Sequence, residues 1–266
     1  LGADDHIPKP FDPALLILRV RSRIEKYRVI KDSVDQVSQK LINKVPHEFR
    51  TPLNGILGFA SMMKENALIL SPSEVRDFSS LIVESGERML QAVANYMRHL
   101  ELQIDLGKSE RPEKYEGVRC AVEAKLLDLL IDGLYGKFPL RRGDCEFFIV
   151  PAKLAVTEDD FLIILQQLLD NALKFSAPNS RVSLNTVVDS QYYVVSVADQ
   201  GQGMDKEFIP SLGPFIQLNR EANEQQGMGL GLSIVGALCS IYEGSLSITS
   251  QPSEGTRVIV RLPIAR

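Results

Sequence analysis

Hydrophobic residues at alternating steps of three and four dominate residues 29–106. A first run consists of Ile30, Val34, Val37, Leu41 and Val45. A second, mostly hydrophobic run consists of Phe78, Leu81 or Ile82, Ser85, Met89, Ala92 or Val93, Tyr96 and Leu100. This spacing is typical of one narrow face on each of two long helices. The segment Ser71-Pro72-Ser73 separates the runs, with Ser71 or Ser73 predicted as the N-cap of the second helix and Glu74 in its first turn. Because one antiparallel hairpin encloses little core, we expect two copies to form a four-helix bundle.

The pattern changes after residue 106, where shorter helical and strand-like segments follow one another. Residues 159–175 and 230–242 have the pattern of helices, and residues 182–188, 192–198, 246–249 and 256–262 have the pattern of strands. Helices interspersed with strands predict a layered α/β sandwich. The chain is therefore predicted to be an α+β protein with a leading segment at residues 1–28, a long helical hairpin at residues 29–106 and a sandwich domain at residues 107–266.

Composition narrows the classes of function. The 266 residues carry a net charge of −4, with 44% hydrophobic and 24% charged residues, which is ordinary for a globular protein and argues against a nucleic-acid partner. The apolar stretches are far shorter than the ~20 residues of a membrane helix, so no membrane segment is expected in this chain. Cys120, Cys145 and Cys239 lack the spacing of disulfide frameworks or metal sites. A reducing, cytoplasmic compartment is therefore expected.

The first candidate for chemistry is His47, which lies between Pro46 and Pro52 in an otherwise helical pattern. A proline inside a helix removes a backbone donor and costs ~3 kcal/mol, so two prolines beside a histidine favour a functional role over a purely structural one. Glu48 adjoins the histidine, and Thr51 lies one helical turn beyond it. Imidazole is a competent nucleophile near neutral pH when a neighbouring carboxylate can accept its other proton.

The stretch His47-Glu48-Phe49-Arg50-Thr51-Pro52-Leu53 resembles the H-box of the most common class of sensor histidine kinases. The resemblance implies that His47 receives a phosphoryl group and that Glu48 is the base for this autophosphorylation. It implies that Thr51, together with Glu48, supports dephosphorylation of a partner response regulator. It also implies a homodimer, and a response-regulator receiver domain in the same or another chain as partner.

A predicted helix in the second half carries a polar face. Gln167, Asn171 and Lys174 follow one another at steps of four and three and so share that face. Amide oxygens suit Mg²⁺, and an ammonium group suits phosphate. The same pattern is also typical of an amphipathic helix with a solvated face, so it identifies a site only in combination with other segments.

Two glycine-rich segments supply that combination. Asp199 ends a predicted strand and precedes Gly201 and Gly203, and such a carboxylate suits the exocyclic amine of adenine. A second run opens the predicted helix at residues 230–242 with Gly227, Gly229 and Gly231. The free N–H groups at a glycine-rich helix start form a phosphate site. The loop of roughly 20 residues between the two runs, which includes Phe215, is long enough to act as a lid.

Taken in order, these segments resemble the N, G1, F and G2 boxes of the histidine-kinase ATP-binding domain, an α/β sandwich shared with some chaperone and topoisomerase ATPases. The resemblance implies ATP and Mg²⁺ as cofactors, with Asn171 and Gln167 at the metal and Lys174 at the phosphates. It implies further nucleotide contacts from Asp199, Gly201, Gly203, Phe215, Gly227, Gly229, Gly231 and Thr256. The related ATPases carry a water-activating glutamate at the position of Gln167, and a glutamine cannot act as that base.

The leading segment resembles a third family. Residues 2–11 resemble the end of a response-regulator receiver domain, in which the lysine that matches Lys9 contacts an acyl phosphate, and the following residues resemble the last receiver helix. The alternative is a plain helical leader after a proline-rich turn. If the receiver interpretation holds, the helix that leads towards His47 is the expected path of a signal.

Three other functions stay open on the residues alone. The chain could be a scaffold that keeps the fold without catalysis, a phosphatase that acts on a regulator through Glu48 and Thr51, or an ATPase of the related chaperone class. Self-labelling by ATP separates the kinase from the scaffold and the ATPase. Net dephosphorylation of a phosphorylated regulator identifies the phosphatase.

Overall fold

Two helices form the first part of the structure. The computed structural model describes residues 49–108, 110–205 and 229–265, all of them within one compact unit, Val45–Arg266. Within this range, helix α1 covers residues 49–65 and helix α2 covers Pro72–Leu106. The predicted segment at residues 1–28 lies outside the described residues.

Aromatic contacts fix how the two helices face each other. Phe49 meets Tyr96 edge-on with ring centroids 6.4 Å apart, and Phe59 stacks on Phe78 with centroids 6.1 Å apart. Since the earlier residue of α1 meets the later residue of α2, the helices run antiparallel. Phe78 and Tyr96 both belong to the hydrophobic seam found in the sequence, so the prediction of a helical hairpin closed by that seam is confirmed for this part of the chain.

Helix α2 begins where its capping residues require it. The hydroxyl of Ser71 accepts a hydrogen bond from the N–H of Glu74 at 3.3 Å, and the carboxylate of Glu74 accepts one from the N–H of Ser71 at 2.8 Å. Pro72 fills the first helical position. This reciprocal pair is a capping box, which satisfies two backbone donors that the first turn leaves without partners. Of the two predicted caps, Ser71 is the one used.

An α/β sandwich follows the hairpin. Its helices are α3 (Ala124–Lys137), α4 (Glu158–Phe175) and α5 (Gly231–Ile241). Its strands are β1 (Cys120–Val122), β2 (Cys145–Phe148), β3 (Ala152–Leu154), β4 (Val182–Asp189), β5 (Tyr192–Asp199), β6 (Ser245–Gln251) and β7 (Gly255–Pro263). Among the described strands, β2, β4, β5, β7 and β6 form a five-stranded sheet in that order, and β1 pairs with β3 separately. The β2–β4 pair is parallel, and the other neighbours in the sheet are antiparallel.

The core lies between the helices and the large sheet. Helix α4 packs on β4 and β5, and helix α5 packs on β6 and β7. Phe161 of α4 meets Tyr193 of β5 with ring centroids 6.1 Å apart, and both side chains are at most 1% exposed. The α+β class with a helical hairpin and a sandwich domain is therefore confirmed.

Buried polar groups join the end of α2 to the sandwich. Asp105, near the end of α2, accepts a hydrogen bond from the hydroxyl of Tyr115 at 2.8 Å and forms an ion pair with Lys114 at 2.6 Å. The ring of Tyr115 meets Tyr242 edge-on with centroids 5.5 Å apart. Burial opposes ionisation of Asp105, but hydrogen bonds from Lys108, Lys114 and Tyr115 outweigh it and hold the pKa of this carboxyl well below its ordinary value.

Two observations bear on the surroundings of the protein. In the part of the chain that the structure describes, no helix has both the length and the apolar character that crossing a membrane requires. All three cysteines are free, with Cys120 and Cys239 buried and Cys145 half-buried. Burial raises the pKa of the Cys120 thiol to about 11, which keeps this thiol protonated and unreactive at neutral pH.

Candidate active site

A carboxylate at the end of β5 lies among backbone donors. Asp199 accepts hydrogen bonds at Oδ1 from the N–H of Gly201 at 2.8 Å and from the N–H of Thr256 at 3.2 Å. Burial raises the pKa of Asp199 above its ordinary value of 3.8, and these two donors oppose the rise. Within the described residues Oδ2 accepts no hydrogen bond, so it can accept one from a ligand donor such as an amine.

The backbone approaches itself closely just after Asp199. A Cβ on Gly201 would lie 2.2 Å from the carbonyl oxygen of Phe175. Gly203 has a φ of +62°, and a Cβ there would lie 1.8 Å from the carbonyl oxygen of Gln251. No side chain fits at either distance, and the positive φ also favours glycine. The two glycines singled out in the sequence are therefore required by the shape of this corner.

Ser250 is a polar residue that sequence analysis missed. Its side chain is 2% exposed. The hydroxyl accepts a hydrogen bond from the N–H of Met204 and donates one to the carbonyl oxygen of Gly255, both at 2.9 Å. It thereby joins the turn after Asp199 to the loop that places Thr256. Since Met204 lies 46 residues away along the chain, no local pattern could have identified this contact.

The predicted polar face of α4 adjoins the start of α5. Gln167, Asn171 and Lys174 are all half-buried. A Cβ on Gly231 would lie 2.6 Å from Oε1 of Gln167 and 3.4 Å from Nδ2 of Asn171, so both amide side chains reach the first residue of α5. The other end of the Gln167 amide, Nε2, donates a hydrogen bond to Oδ1 of Asn95 on α2 at 3.2 Å. Asn95 is a second residue that sequence analysis missed.

Of the second glycine run, the structure describes Gly229 and Gly231, which lie at the start of α5. Gly229 has a φ of +65°, and Gly231 is the first residue of α5. The N-cap residue, Leu230, provides no side-chain hydrogen bond to the first turn, so the N–H groups of that turn suit an anionic ligand. Gly227 and Phe215 lie outside the described residues.

The structure brings these groups into one continuous site. The close approach of Gly201 to Phe175, the last residue of α4, connects the Asp199 corner to the polar face of α4. In the described ranges, no cluster of three or more His, Cys, Asp or Glu side chains could hold a metal ion. A cation beside the amide oxygens of Gln167 and Asn171 would therefore complete its shell with ligand phosphates and water, as Mg²⁺ commonly does.

The phosphotransfer residues predicted on the hairpin are only partly described. Thr51 lies on α1 and is exposed. His47 and Glu48 lie outside the described residues, so their roles stay predictions. Phe49, two residues after the histidine, packs against Tyr96 of α2, and Asn95 beside it binds Gln167 of the sandwich domain.

Two family models match the chain in the order expected from its motifs. Residues 37–98 match the His Kinase A (phospho-acceptor) domain. Residues 157–266 match the family described as Histidine kinase-, DNA gyrase B-, and HSP90-like ATPase. The first match contains the predicted H-box, and the second contains Asn171, Asp199 and both glycine runs.

Similar proteins agree with these matches. Histidine protein kinase DivJ of Caulobacter vibrioides is 29% identical over 249 residues, which cover 91% of this chain and 40% of DivJ. Autoinducer 2 sensor kinase/phosphatase LuxQ of Vibrio cholerae is 31% identical over 239 residues, which cover 86% of this chain and 26% of LuxQ. The chain thus spans less than half the length of these curated relatives.

A solved structure shares the fold. The Acinetobacter baumannii histidine kinase AdeS superposes with a TM-score of 0.56 at 16% identity, covering 83% of this chain and 98% of that of AdeS. The predicted hairpin and sandwich are thus matched as a pair in structure as well as in sequence. With the phospho-acceptor and ATPase domains both identified, the prediction of a protein-histidine kinase is confirmed at the level of its domains: the chain contains a sensor histidine kinase core.

Proposed function

We propose that this chain binds Mg-ATP in the sandwich domain, phosphorylates His47 and passes the phosphoryl group to an aspartate of a response-regulator receiver domain. The observation that carries the proposal is the continuous site formed by the Asp199 corner, the polar face of α4 and the start of α5. Helix α2 of the hairpin packs against that site, with Ser233 Oγ of α5 lying 3.4 Å from His99 Nδ1. The nucleotide is therefore held beside the domain that carries the acceptor.

Each residue of the site has a distinct part in binding. Oδ2 of Asp199 accepts a hydrogen bond from the exocyclic amine of adenine, while Gly201 and Gly203 let the base approach the backbone. Lys174 and the N–H groups at Gly229 and Gly231 bind phosphate oxygens, with Gly227 and Phe215 extending the site. Thr256 holds Asp199 in place through its N–H, at 3.2 Å from Oδ1.

The residues of α4 fit a magnesium ion. Gln167 directs its amide oxygen to the helix start, and Asn171, whose Nδ2 lies nearest that start, carries a second neutral amide on the same half-buried face that could offer its oxygen to a cation. A bound Mg²⁺ would neutralise charge on the phosphate oxygens. The chain's own contribution is to orient the two amide groups and to exclude a water-activating carboxylate, since Gln167 cannot act as a base.

The transfer itself takes place at His47. Nε2 of the ring forms a bond to the γ-phosphorus as the bond between that phosphorus and the bridging oxygen breaks, and ADP leaves. The carboxylate of Glu48 takes the proton from Nδ1. In the second step a carboxylate oxygen of the regulator's aspartate bonds to the phosphorus as the nitrogen–phosphorus bond breaks, and the proton returns to the ring.

We also propose that the hairpin forms a homodimer. An apolar stripe lies on α2 beside the face that packs on α1, with steps of three, four and seven residues. Its members and their exposed fractions are Leu90 (72%), Val93 (37%), Met97 (51%) and Ile104 (65%). Complete burial of a fully exposed large apolar side chain contributes about 1.5–3 kcal/mol, and covering these partly exposed ones contributes a share of that, so a second copy packed on this stripe completes a four-helix bundle.

Phosphatase activity on the same regulator is the second candidate function. Its support is that Thr51 is exposed on α1, where a docked regulator can reach it, and that the relative LuxQ is named a sensor kinase/phosphatase. A regulator phosphorylated in advance would lose its label faster with the wild type than with Thr51→Ala. Equal rates in the two proteins would contradict a role for Thr51.

Labelling tests the main proposal directly. The purified chain is incubated with γ-labelled ATP and Mg²⁺, and wild type is compared with His47→Gln and Asn171→Ala. We expect acid-labile, base-stable label in the wild type only, together with retained fold in both variants. Label that survives in His47→Gln would overturn the acceptor, and wild-type Mg-ATP affinity in Asn171→Ala would overturn the binding site.

The leading segment has its own proposal. We infer from the match around Lys9 that residues 1–28 are the end of a receiver domain whose last helix passes a signal towards His47. The three free cysteines and the use of ATP support a cytoplasmic location for this relay. Insertion of one, two or three residues near Tyr27 should change autophosphorylation with helical phase, and a uniform response to all three insertions would contradict this path.

A further inference from the structure

A side chain of the hairpin is hydrogen-bonded to the candidate metal site of the sandwich. Asn95 and Gln167 are both half-buried and lie 72 residues apart in the chain. Nε2 of Gln167 donates to Oδ1 of Asn95 at 3.2 Å, and Nε2 of Gln91, one turn earlier on α2, donates to the same oxygen at 3.1 Å. With two donors directed at it, this oxygen has a fixed role as an acceptor.

That role determines which way the Gln167 amide faces. Because the nitrogen points to Asn95, the oxygen points to the opposite side, where it lies 2.6 Å from the position of a Cβ on Gly231. The Asn171 amide reaches the same place through its nitrogen Nδ2, 3.4 Å from that position, so of these two amides it is Gln167 that presents an oxygen there. Only the oxygen of an amide can bind Mg²⁺, and an amide turned by half a rotation would present two N–H donors instead.

The end of α2 is held firmly enough to make this contact specific. Arg98 forms an ion pair with Asp160 of α4, whose side chain is 2% exposed. His99 is fully buried and lies 3.4 Å from the hydroxyl of Ser233 on α5. These contacts lie one turn beyond Asn95 and fix the position of its backbone relative to α4.

We propose that Asn95 is a positioning residue that orients the oxygen of Gln167 towards the magnesium ion, so that metal binding in the sandwich depends on the docked hairpin. The inference rests on the proposed Mg-ATP function and adds a residue from the other domain to it. Since coupling between two events is reciprocal, Mg-nucleotide should in turn stabilise the docking of α2. Substituting residues that orient metal ligands commonly weakens metal binding 10–100-fold.

The test measures metal dependence instead of turnover. Binding of the ATP analogue AMPPNP to the whole chain is followed by calorimetry, first with EDTA and then at increasing Mg²⁺ concentration. In Asn95→Leu we expect the Mg²⁺ concentration for half-maximal enhancement to rise about tenfold while affinity in EDTA stays unchanged. In Asn95→Asp the carboxylate can still accept the hydrogen bond from Gln167. The Mg²⁺ concentration for half-maximal enhancement should therefore stay at the wild-type value or fall. Gln103→Leu, on an exposed position of the same helix, should match the wild type.

A second background separates orientation from simple packing. In Gln167→Glu both terminal atoms are oxygens, so either can bind the metal and orientation no longer matters. Adding Asn95→Leu there should change the Mg²⁺ requirement less than about twofold, whereas a packing role predicts the same tenfold loss in both backgrounds.

The remaining outcomes separate a failure of the proposed function from a failure of the role assigned to Asn95. If Mg²⁺ does not raise the affinity of the wild type for AMPPNP, the metal part of the proposed function is overturned, and this inference with it. Two results would overturn the inference alone, provided that Mg²⁺ raises the affinity of the wild type. In the first, Asn95→Leu has the Mg²⁺ requirement of the wild type. In the second, Asn95→Asp raises that requirement as much as Asn95→Leu does. Circular dichroism of each variant confirms that folded protein is compared.

Discussion

The hairpin and the sandwich bury their hydrophobic residues in different ways. Helix α4 spans 18 residues and buries eight of them against the sheet and its neighbouring helices. Helix α2 spans 35 residues, and its buried residues are His99, Leu102 and Asp105, all at the end that meets the sandwich. The described part of the sandwich therefore closes a core within one chain, whereas the hairpin keeps an exposed apolar stripe, which is the face of the proposed dimer.

The contacts between the hairpin and the sandwich are of another kind, since many of them are polar. The boundary between the two relies on buried polar groups, among them the Arg98–Asp160 ion pair and the contact of His99 Nδ1 with Ser233 Oγ at 3.4 Å. Such contacts need specific geometry, so they hold the two domains in one defined arrangement rather than merely close together. An arrangement of this kind suits the proposed transfer from a nucleotide in the sandwich to a histidine on the hairpin.

The largest effect is expected where the boundary itself is broken. Arg98→Met leaves the carboxylate of Asp160 buried without its cation and should lower the free energy of unfolding by about 3–5 kcal/mol. Arg88→Met on the same helix removes a pair with Glu84 in which both side chains are about half exposed, and it should cost less than about 1 kcal/mol. Urea denaturation at fixed protein concentration measures both. Equal losses would contradict a special role for the boundary pair.

The next largest effect is expected at the exposed apolar stripe of α2. Leu90→Asp places a charge on the proposed dimer face and should raise the dimer dissociation constant about 100-fold, which corresponds to about 2.7 kcal/mol. Leu140→Asp makes the same substitution on the sandwich at a side chain that is 93% exposed, and it should leave the dimer intact. Sedimentation equilibrium distinguishes the two. A dimer unaffected by Leu90→Asp would place the interface elsewhere.

A smaller effect should appear in the pH dependence of nucleotide binding by the sandwich. Since burial raises the pKa of Asp199 in the folded protein, its carboxyl gains a proton at a higher pH than the ordinary 3.8. ATP affinity should therefore fall by up to about tenfold per pH unit as pH drops below that raised value, because the protonated carboxyl is a weaker acceptor. Asp199→Asn removes this titration and should flatten the profile. Calorimetry at decreasing pH, down to the ordinary value of 3.8 and over the range in which both proteins stay folded, compares the two, and identical profiles over that whole range would contradict the assignment.

The smallest effect is local to the hairpin. Ser71→Ala removes the N-cap of α2 and should cost about 1 kcal/mol of stability. Ser80→Ala, in the interior of the same helix, removes a hydroxyl that donates to the carbonyl of Arg76 one turn earlier, and its cost should stay within about 0.5 kcal/mol. Thermal unfolding followed by circular dichroism resolves the difference. Equal costs would mean that the capping box contributes nothing beyond an ordinary surface hydroxyl.

Sequence patterns predicted most of the long elements well, but they missed helix α3 and the shortest strands. The helix predicted at residues 159–175 is observed as Glu158–Phe175, and the strand predicted at residues 192–198 as Tyr192–Asp199. Strands β1 and β3 have three residues each, too few for an alternating pattern to be recognised. Their pairing, in which Cys120 lies opposite Leu154, joins segments that are far apart in the chain.

The sequence alone predicted which groups take part in binding and how the chain is divided. Helix periodicity, the capping residues at Ser71 and the glycines after Asp199 act over a few residues, because backbone conformation and capping are local properties. The motif around His47 likewise indicates the class of reaction, because the residues that carry it are consecutive in the chain.

Only the tertiary structure decided how those groups face one another. The hydroxyl of Ser250 and the amide of Asn95 carry no local signature, yet one joins the loops at Asp199 and the other orients Gln167. Whether a polar side chain is buried, and which partner satisfies it, depends on residues that folding brings together from distant parts of the chain. The docking of α2 on α4 and α5 belongs to this second class, because its energy comes from buried contacts between domains.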